Sequence, residues 1–190
     1  MAFTEKKKRF IGAIILLIFF GAWLFLLYKI PATEIVARIG IENSYALIFV
    51  LALIGGTSII FPVPYYLVVA TFAAGGSNPF LLAIMAGTGV SLGDSTSYLV
   101  GYGGREILNE KLRRTFNNFY NWAMKKPKWM FFSVLYLYPT LSPLPNDMIV
   151  VPLGLARFPY FKMIIPMWLG NMTFNLIAAF AGIYGFNFWF

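Results

Sequence analysis

The chain has 190 residues, of which 59% are hydrophobic and only 12% charged, with a mean hydropathy of +0.73 and a formal net charge of +8. Soluble domains carry about twice that share of charged residues, so the composition is that of an integral membrane protein of about five to seven segments, leaving no length for a soluble catalytic domain. With no cysteine and no histidine, disulfides, thiolate nucleophiles, zinc clusters and imidazole chemistry are excluded.

The basic residues sit in short runs beside apolar ones, where they set topology rather than bind nucleic acid. Lys6, Lys7, Lys8 and Arg9 precede a 19-residue apolar run over 10–28. That is longer than the apolar core of a signal peptide, which is about 7 to 15 residues, and it has no small-x-small cleavage site, so an uncleaved anchor with a cytoplasmic N-terminus is expected. Pro31 stops it. Residues 32–41 then place Ile35, Val36 and Ile39 against Glu34 and Arg38, the pattern of a short helix on the outer surface, with an irregular loop as the alternative.

Residues 44–76 are apolar but interrupted by Gly55-Gly56-Thr57-Ser58 and by Pro62 and Pro64. Two short arms joined by an elbow fit a re-entrant hairpin, and two kinked spanning helices are the alternative. Asn78-Pro79 opens a helix running to about Tyr102, with Asp94 deep inside it, where a lipid-facing carboxylate is costly. Gly87, Ser91, Asp94, Tyr98 and Gly101 share one face of it. Residues 105–128 hold seven basic side chains against two acidic ones, which marks the segment as cytoplasmic, and Leu108, Leu112, Phe116, Phe119 and Ala123 give it an amphipathic helix.

The next stretch, 131–154, carries Pro139, Pro143 and Pro145 among Thr140, Ser142, Asn146 and Asp147. The prolines are expected to break any helix between Tyr138 and Asp147, leaving a second elbow that is packed inside the protein or lines a cavity. Asn146 and Asp147 read as the N-cap of the following arm, and the same helix start could serve as an anion site. Arg157 and Lys162 flank Pro159, and 163–184 form the last helix, carrying Asn171 and Asn175 one turn apart. On this topology 13 of the 15 basic residues are cytoplasmic.

Segments 44–102 and 128–184 follow one plan of arm, elbow, arm, proline-opened turn and long helix, and Leu92-Gly93-Asp94 and Leu169-Gly170-Asn171 take matching places 77 residues apart. Since the first begins outside and the second inside, they are expected to be inverted repeats with the site between them. The expected fold is therefore an all-α polytopic membrane protein, with an anchor and surface segment over 1–43 and a membrane domain over 44–190.

Gly93-Asp94-x-x-x-Tyr98-x-x-Gly101-Tyr102-x-Gly104, the basic loop, the proline elbow, Gly154-Leu-Ala-Arg157-Phe-Pro159-Tyr-Phe-x-Met163 and Gly170-Asn171 together resemble the DedA family, also called the VTT or SNARE-associated family. The resemblance covers about 44–182. It implies two opposed re-entrant hairpins and lipid translocation, by a flippase or scramblase, of undecaprenyl phosphate or phospholipid, in a prokaryotic plasma membrane. Typical bacterial members are acidic in the first hairpin, where this chain has Thr57, Ser58, Tyr65 and Tyr66, and carry arginines around the second elbow, where it has Tyr136 and Ser142.

The expected function is transport of a phospholipid or polyprenyl-phosphate headgroup, with protons as a further candidate partner, no cofactor or metal and an oligomeric state left open. The expected path comprises Ser91, Asp94, Tyr98, Thr140, Ser142, Asn146, Asp147, Asn171 and Asn175, with Arg157 at its cytoplasmic mouth. A passive assembly protein is one alternative. An intramembrane aspartyl protease using Asp94 and Asp147 is another, weakened by Ser91, which stands where such enzymes carry glycine.

Overall fold

Proline and glycine punctuate the chain, and among the described residues every regular element between them is a helix. A computed structural model describes residues 21, 22, 25, 29–57, 64–142 and 144–189. Among these are α1 (Ala32–Ile39), α2 (Ile41–Gly56), α3 (Tyr65–Ala74), α4 (Pro79–Gly104), α5 (Glu110–Lys125), α6 (Lys128–Leu141), α7 (Asp147–Leu155) and α8 (Tyr160–Trp189). Most of the expected anchor over 10–28 lies outside the described residues, as do Ser58, Pro62 and Pro143.

One described helix segment, Tyr160–Gly185, is long and apolar enough to cross a membrane, or two if α1 and α2, bent by 95°, count as one broken span. The bend lies at Gly40, whose φ of 88° suits a residue without a side chain. Beyond the bend, α1 lies over the end of α3, where Val36 is buried beside Gly75. A short amphipathic helix was expected here, and it is present.

The long helices α4 and α8 form the central pair. α2 packs on α4 and α6 on α8, whereas α3 packs on α8 and α7 on α4, so each hairpin straddles the two long helices in the same exchanged way. The ends of each hairpin come together. At the first, Ser44 Oγ is 3.0 Å from Ser77 Oγ and the Asn78 amide donates to Tyr45 Oη at 2.9 Å. At the second, the rings of Phe131 and Phe158 are 5.7 Å apart. Both hairpins also leave through the same turn: Ser77 N–H bonds Phe72 O, Phe158 N–H bonds Leu153 O, and Gly76 and Arg157 take positive φ values of 100° and 57°.

Helix lengths set how far each hairpin reaches. α3 has 10 residues and α7 has 9, about 15 and 14 Å at 1.5 Å per residue, well short of a bilayer core of about 30 Å. The 26 residues of α4 span about 39 Å. The first elbow therefore arrives halfway along α4, where a Cβ on Gly93 would lie 2.5 Å from the Gly56 carbonyl carbon. At the second, Gly170 on α8 faces Tyr136, Pro139 and Thr140.

Two boundaries differ from the sequence reading. α2 starts at Ile41 and continues through Gly55 and Gly56, so its 16 residues make it longer than the short arm expected and carry it across the boundary drawn between 43 and 44. α6 continues through Pro139 to Leu141. One proline near a helix C-terminus forfeits a single backbone bond, and here its ring lies in the space left by the absent Gly170 side chain. The interruption shrinks to 142–146.

Glycine contacts yield the first test. Gly93→Ala and Gly170→Ala force backbone apart and are expected to cost about 1–3 kcal/mol each, whereas Gly103→Ala, with nothing near its Cβ, should be neutral or stabilising by up to about 1 kcal/mol. Thermal unfolding of the detergent-solubilised variants measures this, and equal losses at all three positions would contradict the packing.

Candidate functional site

Between the two elbows the long helices bring a carboxylate and two amides together. Asp94 on α4 has no solvent exposure. Its Oδ2 accepts from Asn146 Nδ2 at 2.9 Å and from Asn171 Nδ2 at 3.2 Å. Asn146 Nδ2 also donates to Asn171 Oδ1 at 3.1 Å, and Asn171 Nδ2 reaches Ser91 Oγ at 3.4 Å. One turn on, Asn175 Nδ2 donates to the Asn171 carbonyl at 2.8 Å.

Asp94 and Asn171 are the matching residues of the two segments, 77 positions apart, and they are bonded to each other. The contact therefore lies where the two segments meet. Apolar clusters lie on either side. Ile48, Phe72, Leu82 and Val90 belong to one, and Tyr98, Leu135, Val150 and Met167 to the other.

A cleft of about 90 Å³ opens at this junction, room for a few waters or one small group. Ser142, Asn146 and Asp147 line it from the second elbow, Asp94 and Asn171 from the long helices, and Tyr65, Tyr66 and Phe174 from α3 and α8. Two residues that line it carry a buried oxygen without a donor: Oδ1 of Asp94 and Oδ1 of Asp147 have no hydrogen-bond partner among the described residues. Buried polar atoms are rarely left so, and this pair marks the cleft as the place where a ligand would matter most.

The expected path residues thus divide. Asp94, Ser142, Asn146, Asp147 and Asn171 line the cleft, with Ser91 and Asn175 behind them. Three others point elsewhere. Tyr98 donates to the Phe158 carbonyl at 2.7 Å inside an apolar cluster, and Thr140 bonds back to the Tyr136 carbonyl. Arg157 lies at the surface, 4.8 Å over the Tyr102 ring and 3.9 Å from Glu106. The capping role expected of Asn146 is also overturned: its side chain caps no backbone N–H and instead bridges Asp94 and Asn171. Its backbone is already helical, so the side chain turns away from the amides that a cap would serve.

The aromatic wall was not anticipated as part of the path, although Phe174 lies three positions after Asn171 and so shares its face. The Tyr66 and Phe174 rings meet edge to face at 5.9 Å. Comparison of the chain with family models, curated proteins and solved structures finds no match to any of them.

Because one amide serves two partners, Asn146→Ala is expected to cost about 1–3 kcal/mol, and Asn146→Ala with Asn171→Ala should cost less than the sum of the two. Tyr98→Phe, losing one neutral bond, should cost about 0.5–1.5 kcal/mol. Chemical denaturation of the double-mutant cycle reads both, and strict additivity would deny the shared contact.

Proposed function

We propose that this chain is a membrane lipid transporter, a flippase or scramblase that passes a polar headgroup between leaflets through the junction of two re-entrant hairpins while the acyl chains stay outside. The observation that carries this reading is the buried Asp94–Asn146–Asn171 cluster, placed where both elbows stop and beside a cleft whose lining includes two carboxyl groups, each with an unpartnered buried oxygen. Broken helices facing each other across an inverted repeat are the usual setting of a transport site.

Three further features support it. Apolar side chains stand exposed along several helices, among them Val50, Ile54, Leu92, Leu99, Phe132, Leu137, Ile165 and Ile177, a surface suited to lipid. The exchanged packing of the two hairpins has the form that inverted repeats would produce. The DedA-like motifs fall on these elements, with Gly93 at the first elbow and Gly170 at the second. In this reading the plasma membrane is the location, the basic segment around α5 is cytoplasmic and the chemistry is non-enzymatic.

A protease reading draws on one observation, that Asp94 and Asp147 line the same cleft. Against it, no hydrogen bond joins the two carboxyls, and Asp94 Oδ2 is already held by two amides. The two carboxyls of an aspartic protease share one proton between them.

Purified protein in liposomes carrying acyl-labelled phospholipid tests the proposal by the loss of inner-leaflet label to a membrane-impermeant quencher. Transport is expected with the wild-type chain and should fall at least about tenfold in Asn146→Leu, which removes the bridge and fills the cleft, the scale of a lost buried polar contact. Arg157→Ala, outside the cleft, should stay within about twofold of wild type, the usual scale for an exposed charge. A folded, inserted protein that moves no lipid would overturn the reading.

A further inference from the structure

Resting on the transport reading, the cleft itself says which part of a lipid it receives. We infer that it is an ammonium site, one that takes the positively charged amine end of a phospholipid headgroup and leaves the phosphate outside. The described lining contains no Lys or Arg, yet it presents Asp94 and Asp147, 0% and 7% exposed, each with Oδ1 free of any described donor.

A phosphate there would add negative charge beside two carboxyl groups with no cation to offset it, and every oxygen it brought would be another acceptor. An ammonium group brings N–H donors or diffuse positive charge, which is what two carboxyl oxygens without a described donor can accept. The remaining walls fit the same ligand. Tyr65, Tyr66 and Phe174 surround the opening, and aromatic faces attract ammonium groups with the greatest effect where water is scarce.

Among the described residues, cations gather away from the cleft. Arg105, Arg113 and Arg157 line a surface cleft of their own, and Lys126, Lys128 and Lys162 edge an apolar groove at the N-terminal end of α6. α6 runs from Lys128 to Leu141 and the groove reaches along it to Phe132, so its elbow end lies about 14 Å beyond the groove. A headgroup phosphate is attracted at the rim, and the amine alone finds complementary charge at the junction. Lipids whose headgroups carry no amine, polyprenyl phosphate among them, are poor substrates on this account.

The experiment has two arms. In liposomes with acyl-labelled lipids, phosphatidylethanolamine should cross at least about tenfold faster than phosphatidylglycerol, the discrimination of one good charge-assisted contact. Asp147→Asn and Tyr66→Leu should each erase most of that preference, with Tyr66→Phe retaining it. In detergent, ethanolamine should bind the full chain and bind Asp147→Asn at least about tenfold more weakly, while inorganic phosphate should not compete. Should Asp147→Asn fail to insert, the Tyr66 pair carries the comparison.

Equal rates for the two lipids would overturn the inference and leave lipid transport standing. Ethanolamine binding that depends on Asp147 without any lipid movement would support the ammonium site and remove the transport reading. Displacement of ethanolamine by equal concentrations of sodium or potassium would overturn it in favour of an inorganic cation site.

Discussion

A carboxylate with no access to solvent has to be held by donors from the protein, and in this fold that requirement falls on Asp94. The two amides that meet it come from 52 and 77 residues away. One lies beyond a helix break and the other on the matching position of the second long helix. The helix break, the crossing of α4 with α8 and the depth of the second elbow all have to agree for these three side chains to meet. Changing any one of them leaves a buried carboxyl or a buried amide without a partner, so the polar layer specifies the register of the helices around it.

Close packing supplies the rest. On the proposed membrane reading, helices surrounded by lipid gain little from burying apolar surface against one another, so contact distance and shape matter more. Small residues mark the crossings: Gly56 and Gly93 where the first elbow meets α4, Gly87 against Met172 between the long helices, Gly101 and Gly154 between α4 and α7, and Gly170 under the second elbow. The two apolar clusters are thereby kept apart by one polar layer, and the cleft opens where the helices end.

Much of this was legible in the residues. Asn78-Pro79 marks a helix start, and the Asn78 side chain does accept from the amides of Phe80 and Leu81. The amphipathic spacing in the basic segment yields α5, capped by Asn109. The parallel between Leu92-Gly93-Asp94 and Leu169-Gly170-Asn171 identifies two residues that bond each other. What failed did so for physical reasons. Proline content overstated the second break, because Pro139 is accommodated by a glycine on another helix. Local chemistry made Asn146 a cap, but a partner 52 residues away competes for the same amide and wins, since a buried carboxylate is the stronger acceptor. Tyr98 shares a stripe with Asp94, yet one turn is enough to carry it into the neighbouring apolar cluster. The aromatic wall was hidden because it is assembled from α3 and α8, which nothing in their own spacing brings together.

The central claim is that the polar junction lies midway through a bilayer, reached by hairpins that enter and leave on one side. The chain has no native cysteine, and Leu144 at the second elbow is 52% exposed, so a single spin label there reports depth with little disturbance. Power saturation with oxygen and with a water-soluble nickel complex, in liposomes, measures that depth directly. The account requires a label near the bilayer centre, about 15 Å from either edge of a core about 30 Å thick. A label at the headgroup level on the face opposite Lys128 would mean that α6 and α7 cross the membrane as a spanning pair, and the junction would then be a surface feature with no lipid path through it.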